Sequence, residues 1–233
     1  MAEFQVLGNV SPFLLVSLQQ GEKIYAESDA MVSMETTLDL KGQMRGGFLS
    51  ALSRRLTAGE SFFQQTIEAS RGPGDALFGH IAPGGVEILD VGARQFNLND
   101  GAFLAASDTV NLTVRSQGIG QALFGGTGGL FIMETSGTGQ LAITGYGEIF
   151  GLQVNKGHDV IVDNGHVVAW ERTLSYEVTT ATQQGGGFLG RLASAATSGE
   201  GIVTRFSGDG TVYVASRNLK GFSGWLGRLI KPS

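Results

Sequence analysis

Residues 129–147 read GLFIMETSGTGQLAITGYG, with β-prone stretches on both sides of the turn Ser136-Gly137-Thr138-Gly139. Glycine in such a turn supplies the positive φ that other residues resist. The same pattern, Ser or Arg followed by Gly-x-Gly, recurs 65 residues earlier at Arg71-Gly72-Pro73-Gly74 and 71 residues later at Ser207-Gly208-Asp209-Gly210. The sequence therefore predicts three hairpins, which are closed by the pairs Gly72/Gly74, Gly137/Gly139 and Gly208/Gly210.

A second turn marker precedes each of these hairpins. It reads Ser-Asp-Ala at 28–30, Asn-Asp-Gly at 99–101 and Asp-Asn-Gly at 163–165. Asp-Gly and Asn-Gly are strong hairpin signals. The stretches that follow, at 31–40, 103–114 and 167–178, partly alternate between apolar and polar residues, as half-buried strands do.

Two markers in the same order divide the chain into three units of roughly 1–88, 89–152 and 153–233 within one domain. The predicted fold class is all-β, an antiparallel β-sandwich or barrel built from three internal repeats. Units one and three also share a fifteen-residue insert, GGFLSALSRRLTAGE at 46–60 and GGFLGRLASAATSGE at 186–200. These inserts are predicted to be short amphipathic helical pieces.

The composition restricts the kind of partner and of chemistry. Glycine accounts for 37 of 233 residues, the net charge is −5 and cysteine is absent. The acidic balance makes nucleic acid an unexpected partner, because nucleic-acid binding usually needs a basic face. The absence of cysteine excludes disulfides and thiolate catalysis. The first residues lack the basic start and apolar core of a secretory signal, so we expect a cytoplasmic protein, with a position at a membrane surface left open.

No catalytic motif is present. The histidines, His80, His158 and His166, lie too far apart in sequence for the His-x-His pair of a cupin metal site. Neither a Gly-x-Ser-x-Gly elbow nor a phosphate-binding Gly-x4-Gly-Lys loop occurs. We therefore expect a protein that is not an enzyme, without catalytic residues, bound metal or cofactor.

The inserts and the C-terminal segment 220–233 carry the residues that we expect to make contacts. In the first insert, Phe48, Leu49, Leu52 and Leu56 fall on one helical face. Bulky apolar groups stand beside basic ones in all three segments. The predicted contact residues are Phe48, Leu49, Leu52, Arg54, Arg55, Leu56, Phe188, Leu189, Arg191, Leu192, Phe222, Trp225, Leu226 and Arg228.

Two interpretations of these segments remain open. In the first, the protein is a homo-oligomeric, non-catalytic β scaffold whose helical pieces pack on the core, between subunits or against other proteins. In the second, it is a peripheral membrane or lipid-binding protein, whose apolar faces enter the interface while Arg and Lys meet anionic headgroups. Binding of a small ligand or RNA is a weaker alternative.

The stretches 59–78, 100–114, 129–149 and 163–178 together resemble the altered-inheritance-of-mitochondria protein 24 family, in the correct order and from about Phe4 to Leu219. The resemblance implies a fold similar to that of the tryptophan RNA-binding attenuation protein, in the double-stranded β-helix class. It implies no catalytic residues, and it suggests a scaffolding role near membranes. RNA binding does not follow from the likeness of the fold, because function depends on sites.

Overall fold

The computed structural model describes residues 1–43, 64–116, 131–180 and 202–230. These residues form nineteen strands, one short 3-10 helix at Asn164–His166 and one α-helix, α1, at Leu219–Ile230. In chain order the strands are β1 Glu3–Leu7, β2 Phe13–Leu18, β3 Lys23–Glu27, β4 Met31–Met34, β5 Asp39–Gln43, β6 Gln64–Glu68, β7 Gly74–Phe78, β8 Gly84–Val91, β9 Phe96–Leu98, β10 Phe103–Ser107, β11 Val110–Ser116, β12 Phe131–Gly137, β13 Gly139–Tyr146, β14 Ile149–Val154, β15 Val160–Asp163, β16 Val167–Glu171, β17 Ser175–Thr180, β18 Ile202–Ser207 and β19 Gly210–Ala215. The all-β prediction is confirmed.

The described strands form four sheets, in which all the neighbouring strands pair antiparallel. Two sheets have six strands each, in the orders β5-β6-β3-β10-β13-β8 and β11-β12-β9-β16-β19-β14. Each strand of the second six-stranded sheet lies six strands further along the chain than its counterpart in the first. The pairing order of the two six-stranded sheets is therefore the same.

The remaining strands form a four-stranded sheet, β1-β2-β7-β4, and a three-stranded sheet, β15-β18-β17. In the six-stranded sheets the central pairs are β3 with β10 and β9 with β16. The strands in the corresponding places of the two smaller sheets are β15 and β4. These two described strands do not pair, and each is the last strand of its own sheet. None of the four described sheets closes on itself. The described sheets therefore do not form a closed barrel, an arrangement that the sequence left open.

The predicted glycine hairpins are wrong, because the strands on either side of each turn belong to different sheets. β12 pairs with β11 and β9, whereas β13 pairs with β10 and β8. The same separation holds for β6 and β7 and for β18 and β19. A turn signal indicates where the chain changes direction and does not choose the pairing partner. Gly137, Gly139, Gly208 and Gly210 have positive φ, whereas Gly72 and Gly74 do not.

The long strands predicted at 31–40, 103–114 and 167–178 are each broken into two strands in different sheets. The second stretch becomes β10 and β11, and the third becomes β16 and β17. Every residue of β10 and β16 is buried, because both strands lie in the middle of a six-stranded sheet. The alternation of a half-buried strand is found only in the second halves, as in β11, where Val110 and Leu112 are buried and Asn111 and Thr113 are exposed.

Three clusters of buried apolar side chains form the core. The first lies between the four-stranded sheet and the first six-stranded sheet, the second between the two six-stranded sheets, and the third between the second six-stranded sheet and the three-stranded sheet. Representative fully buried members are Leu14, Ile67 and Phe78 in the first, Phe96, Leu98 and Leu141 in the second, and Phe206 and Val212 in the third.

Gly137→Ala is expected to lower the free energy of unfolding by about 2–3 kcal/mol. Gly137 has a φ of +89°, and an added Cβ would lie 2.3 Å from the carbonyl oxygen of Thr109. Gly101→Ala is the matched control, since Gly101 has a φ of +73° but no heavy atom within 4 Å of an added Cβ. It should cost only the backbone strain, about 1 kcal/mol. Urea unfolding of both variants measures the difference, and equal losses would contradict the role given to the Thr109 contact.

Candidate functional site

A cavity of about 700 Å³ lies where two sets of connections meet. One set follows β3, β9 and β15, and the other follows β7, β13 and β19. The start of α1 borders the same cavity through Leu219, Lys220 and Ser223. Concave sites of this size, with few polar groups among apolar ones, are where small molecules bind to proteins. The second turn marker of the sequence has three copies, at 28–30, 99–101 and 163–165. Asp100, Gly101 and Gly165 of the second and third copies line the cavity, and Glu27, directly before the first copy, lines it as well.

Two carboxylates line the cavity. Glu27 is the last residue of β3, and Asp100 lies in the connection between β9 and β10. Burial, followed by repulsion from Asp100 and Asp29, raises the pKa of Glu27 to about 7. No described side chain forms a hydrogen bond or an ion pair with the Glu27 carboxylate. A half-buried carboxylate next to two others has a strong electrostatic preference for a proton or a cation.

Two histidines line the cavity as well. The Nδ1 atom of His166 lies 2.7 Å from the carbonyl oxygen of Ala215, and since a carbonyl only accepts, this nitrogen carries a hydrogen. The Nδ1 atom of His80 lies 3.2 Å from both the nitrogen and the oxygen of Ala82. Burial lowers the pKa of His80, so this imidazole is neutral at pH 7.

Basic groups line another part of the cavity wall. Arg217 follows β19, and Lys220 lies in the first turn of α1. Neither forms a salt bridge with a described carboxylate. Asn218, between them, starts the helix, because its Oδ1 atom accepts a hydrogen bond of 2.9 Å from the backbone N–H of Gly221. Gly165 leaves room for this side chain, because an added Cβ would lie 2.1 Å from Nδ2 of Asn218 and would displace the amide.

Helix α1 is exposed along its whole length and buries none of its residues. Its only described ring contact with the sheets joins Phe222 and Tyr146, whose ring centroids are 5.5 Å apart. Trp225 is 50% exposed and lies 5.8 Å from Phe222, measured between ring centroids. The apolar side chains of the helix share one face, and consist of Leu219, Phe222, Trp225, Leu226, Leu229 and Ile230. We call this set the apolar face of α1.

The structure places only part of the predicted contact set. Phe222, Trp225, Leu226 and Arg228 all lie in α1, and the predicted amphipathic helix is present there. The ten predicted contact residues of the two inserts lie outside the described residues; they are Phe48, Leu49, Leu52, Arg54, Arg55, Leu56, Phe188, Leu189, Arg191 and Leu192.

The sequence did not indicate Glu27, His80 and Asp100 as members of a common site. Asp100 is part of the second turn marker, and Glu27 stands directly before its first copy. The signal that could have found them is this marker, because equivalent turns of related units can meet at one end of a fold.

The cavity is lined by strand residues, by connections between strands and by the start of α1. Among the described residues the protein is all-β, with a 3-10 helix at Asn164–His166 and one α-helix at Leu219–Ile230. It belongs to the family described as Mitochondrial biogenesis AIM24, whose model matches residues 4–217. The resemblance stated from the sequence is thereby confirmed.

Two relatives from Streptococcus pyogenes are similar to this chain. An uncharacterised protein of serotype M6 is 36% identical over 228 residues, which cover 95% of this chain and 88% of the relative. The crystal structure of a Streptococcus pyogenes protein matches with a TM-score of 0.79 and 31% identity, over 99% of this chain and 100% of that one.

Two further properties concern the described residues. No described helix has the length and apolar character that crossing a bilayer requires. No group of three or more described His, Asp and Glu side chains is arranged to hold a metal ion. Near His158, the Asp159 carboxylate accepts a hydrogen bond of 2.8 Å from Nε of Arg205, and Asp163 caps the 3-10 helix.

Proposed function

We propose that the protein is a non-catalytic scaffold that attaches to an anionic membrane surface through helix α1. The observation that carries this proposal is the apolar face of α1, whose side chains are 38–68% exposed, on a helix that holds basic residues and no acidic ones. The β body then acts as the platform that the helix brings to the surface. A cytoplasmic location at the face of a membrane is part of the proposal.

The arrangement of residues around α1 supports the membrane as the partner. At 100° per residue, the apolar face spans roughly 140° of the helix, and Lys220 and Arg228 lie outside that arc. A helix that lies in a bilayer interface buries such a face while its basic residues meet anionic headgroups. Trp225 adds an indole, which is enriched at the boundary between membrane and water.

The expected binding is reversible. Burial of a large apolar side chain contributes about 1.5–3 kcal/mol. Each basic residue near an anionic surface adds about 1 kcal/mol at low ionic strength. A helix of 12 residues with two described basic groups is therefore expected to bind in a salt-dependent equilibrium.

A second candidate function, assembly with further copies of the chain, is favoured by the edge strands β4 and β15, each of which has a described partner strand on one side only. On these strands Val32 is 54% exposed and Ile161 is 64% exposed. Strand edges with exposed apolar side chains pair readily with another chain. The matching order of the two six-stranded sheets also supports the proposal of three related units. In that arrangement β4 and β15 are the strands whose third equivalent pairing is not formed within the described residues.

The proposed attachment predicts that the protein floats with vesicles of phosphatidylcholine and phosphatidylglycerol at low salt. Flotation should decrease when salt is raised and when phosphatidylglycerol is omitted. Trp225→Ser should lower the partition coefficient between vesicles and water at least ~10-fold, because it removes about 1.5–3 kcal/mol of apolar burial. The fraction of protein that floats with the vesicles should fall accordingly.

Phe150→Ser is the matched control, since Phe150 is a 65% exposed aromatic residue on β14, outside the helix. Its bound fraction should equal that of the unchanged protein. Equal flotation of both variants, or no flotation at all, would refute attachment through α1. Light scattering on the same samples tests the second candidate, for which a strictly monomeric species at micromolar concentration would be the refuting result.

A further inference from the structure

The cavity beside α1 has a chemical character that attachment to a membrane does not explain. Its wall combines two carboxylates with apolar groups, two histidines and the basic residues Arg217 and Lys220, and no described side chain pairs with the carboxylate of Glu27. Buried or half-buried charges in proteins are normally paired, because the loss of water around an unpaired charge costs several kcal/mol. The missing partner of Glu27 is therefore the natural place to look for a ligand.

We propose that the cavity binds a small organic amine, whose ammonium group is held by Glu27 and Asp100 and whose apolar part lies against the surrounding apolar wall. An ammonium group donates up to three hydrogen bonds and carries the positive charge that the Glu27 carboxylate lacks, with Asp100 close by. The apolar wall consists of Ala82, Ala102, Tyr146, Val167, Val168 and Ala215.

The groups already present around Glu27 do not supply that charge. Burial, Asp100 and Asp29 all favour its protonated form, and no cation of the cavity wall acts in the opposite direction. His80 is neutral at pH 7 because burial lowers its pKa. Arg217 and Lys220 line the same cavity but form no salt bridge with Glu27. A cation small enough to reach the carboxylates must therefore come from outside the described chain.

The aromatic and apolar groups select an amine over an inorganic cation. No described cluster has the three ligand side chains that a metal site would need. A cavity of about 700 Å³ exceeds the size of a hydrated ion and suits an organic molecule. The ring of Tyr146 adds a surface on which an ammonium group is attracted to the π-electrons.

The test uses 4-phenylbutylamine as the probe and 4-phenylbutan-1-ol as its neutral analogue. Each is titrated into the full chain at pH 8, and binding is followed by amide chemical shifts in two-dimensional NMR. The amine should bind with a Kd of about 1 mM or tighter and shift the amides of Gly101 and Gly165, which line the cavity. The alcohol should bind at least ~10-fold more weakly, because a neutral hydroxyl does not offset the carboxylates.

Glu27→Gln should weaken amine binding at least ~10-fold and leave alcohol binding unchanged. Asp100→Asn provides a second, independent variant of the same kind. Glu3→Gln is the control, because Glu3 is an exposed glutamate on β1 that does not line the cavity. The dispersion of the amide signals shows whether each variant is folded, and the comparison is made only between folded proteins.

The pH supplies an additional readout. Binding of the amine should weaken as the pH falls from 8 to 6, because Glu27 gains a proton in that range. The proposal is overturned if the amine causes no saturable shifts at Gly101 and Gly165, if the alcohol binds equally well, or if a folded Glu27→Gln or Asp100→Asn protein binds the amine unchanged. None of these results bears on flotation with vesicles, so the two proposals fail or stand separately.

Discussion

Phe206→Ala is expected to lower the free energy of unfolding by about 3–5 kcal/mol. Phe206 is fully buried in β18, the central strand of the three-stranded sheet. Its ring centroid lies 5.7 Å from that of Trp170 in β16 and 6.5 Å from that of Tyr176 in β17. Truncation leaves a cavity between two sheets, and it removes one of two aromatic contacts that join the three-stranded sheet to the second six-stranded sheet. The other contact, between Trp170 and Tyr176 at 5.1 Å, remains.

Phe150→Ala is the control for this variant, because the same side chain is removed from a 65% exposed position. It should change the free energy of unfolding by no more than about 0.5 kcal/mol. Urea unfolding followed by tryptophan fluorescence measures both proteins, since Trp170 lies in the affected cluster. Similar losses for Phe206→Ala and Phe150→Ala would mean that the three-stranded sheet contributes little to the stability of the whole.

Glu27→Gln is expected to stabilise the protein more at pH 8 than at pH 5. The free energy of unfolding of the variant minus that of the unchanged protein should be about 1–3 kcal/mol larger at pH 8 than at pH 5. The pKa of Glu27 is about 7 in the folded protein, against an ordinary value of 4.5 for a glutamate in the unfolded chain. Unfolding therefore releases a proton between these values, and the stability of the unchanged protein falls as the pH rises through this window. The glutamine has no proton to release, so its variant lacks this loss.

The comparison between variant and unchanged protein isolates this effect from that of His80. Burial lowers the pKa of His80 in both proteins, so its contribution, a loss of stability as the pH falls below about 6.5, cancels in the difference. Glu3→Gln, at an exposed position, should leave the pH profile of stability unchanged. A difference between Glu27→Gln and the unchanged protein that is the same at pH 5 and pH 8 would show that the Glu27 carboxylate is not disfavoured in the fold.

The fold class was predictable because its signals are local. Apolar stretches of strand length, bounded by glycine turns, specify strands wherever they finally pair. Pairing was not predictable, as β12 and β13 show. The turn at Gly137–Gly139 joins them directly, yet each finds its partners in a separate sheet. The choice of partner strands depends on how both faces of β10 and β16 become buried. That burial arises only when the sheets have assembled, so no single segment of the sequence encodes it.

The candidate site was predictable only in its helix. The 3.6-residue period of residues 220–230 is contained in one segment, so the apolar face of α1 follows from the sequence alone. The cavity draws Glu27 from the end of β3, His80 and Asp100 from the connections after β7 and β9, and His166 from the 3-10 helix after β15. These places are far apart in the chain. Each of these residues is ordinary in its own turn. Their chemistry arises from shared burial and mutual repulsion, for which a linear pattern holds no signal.

The order of strands in the six-stranded sheets has a consequence for synthesis on the ribosome. The edge of β9 that pairs with β16 must wait for residues 167–171, about 70 positions later in the chain. At roughly 5–20 residues per second, that edge stays open for several seconds. The same delay separates β3 from β10. A nascent chain with two such waiting edges needs protection from its neighbours until its last strands emerge.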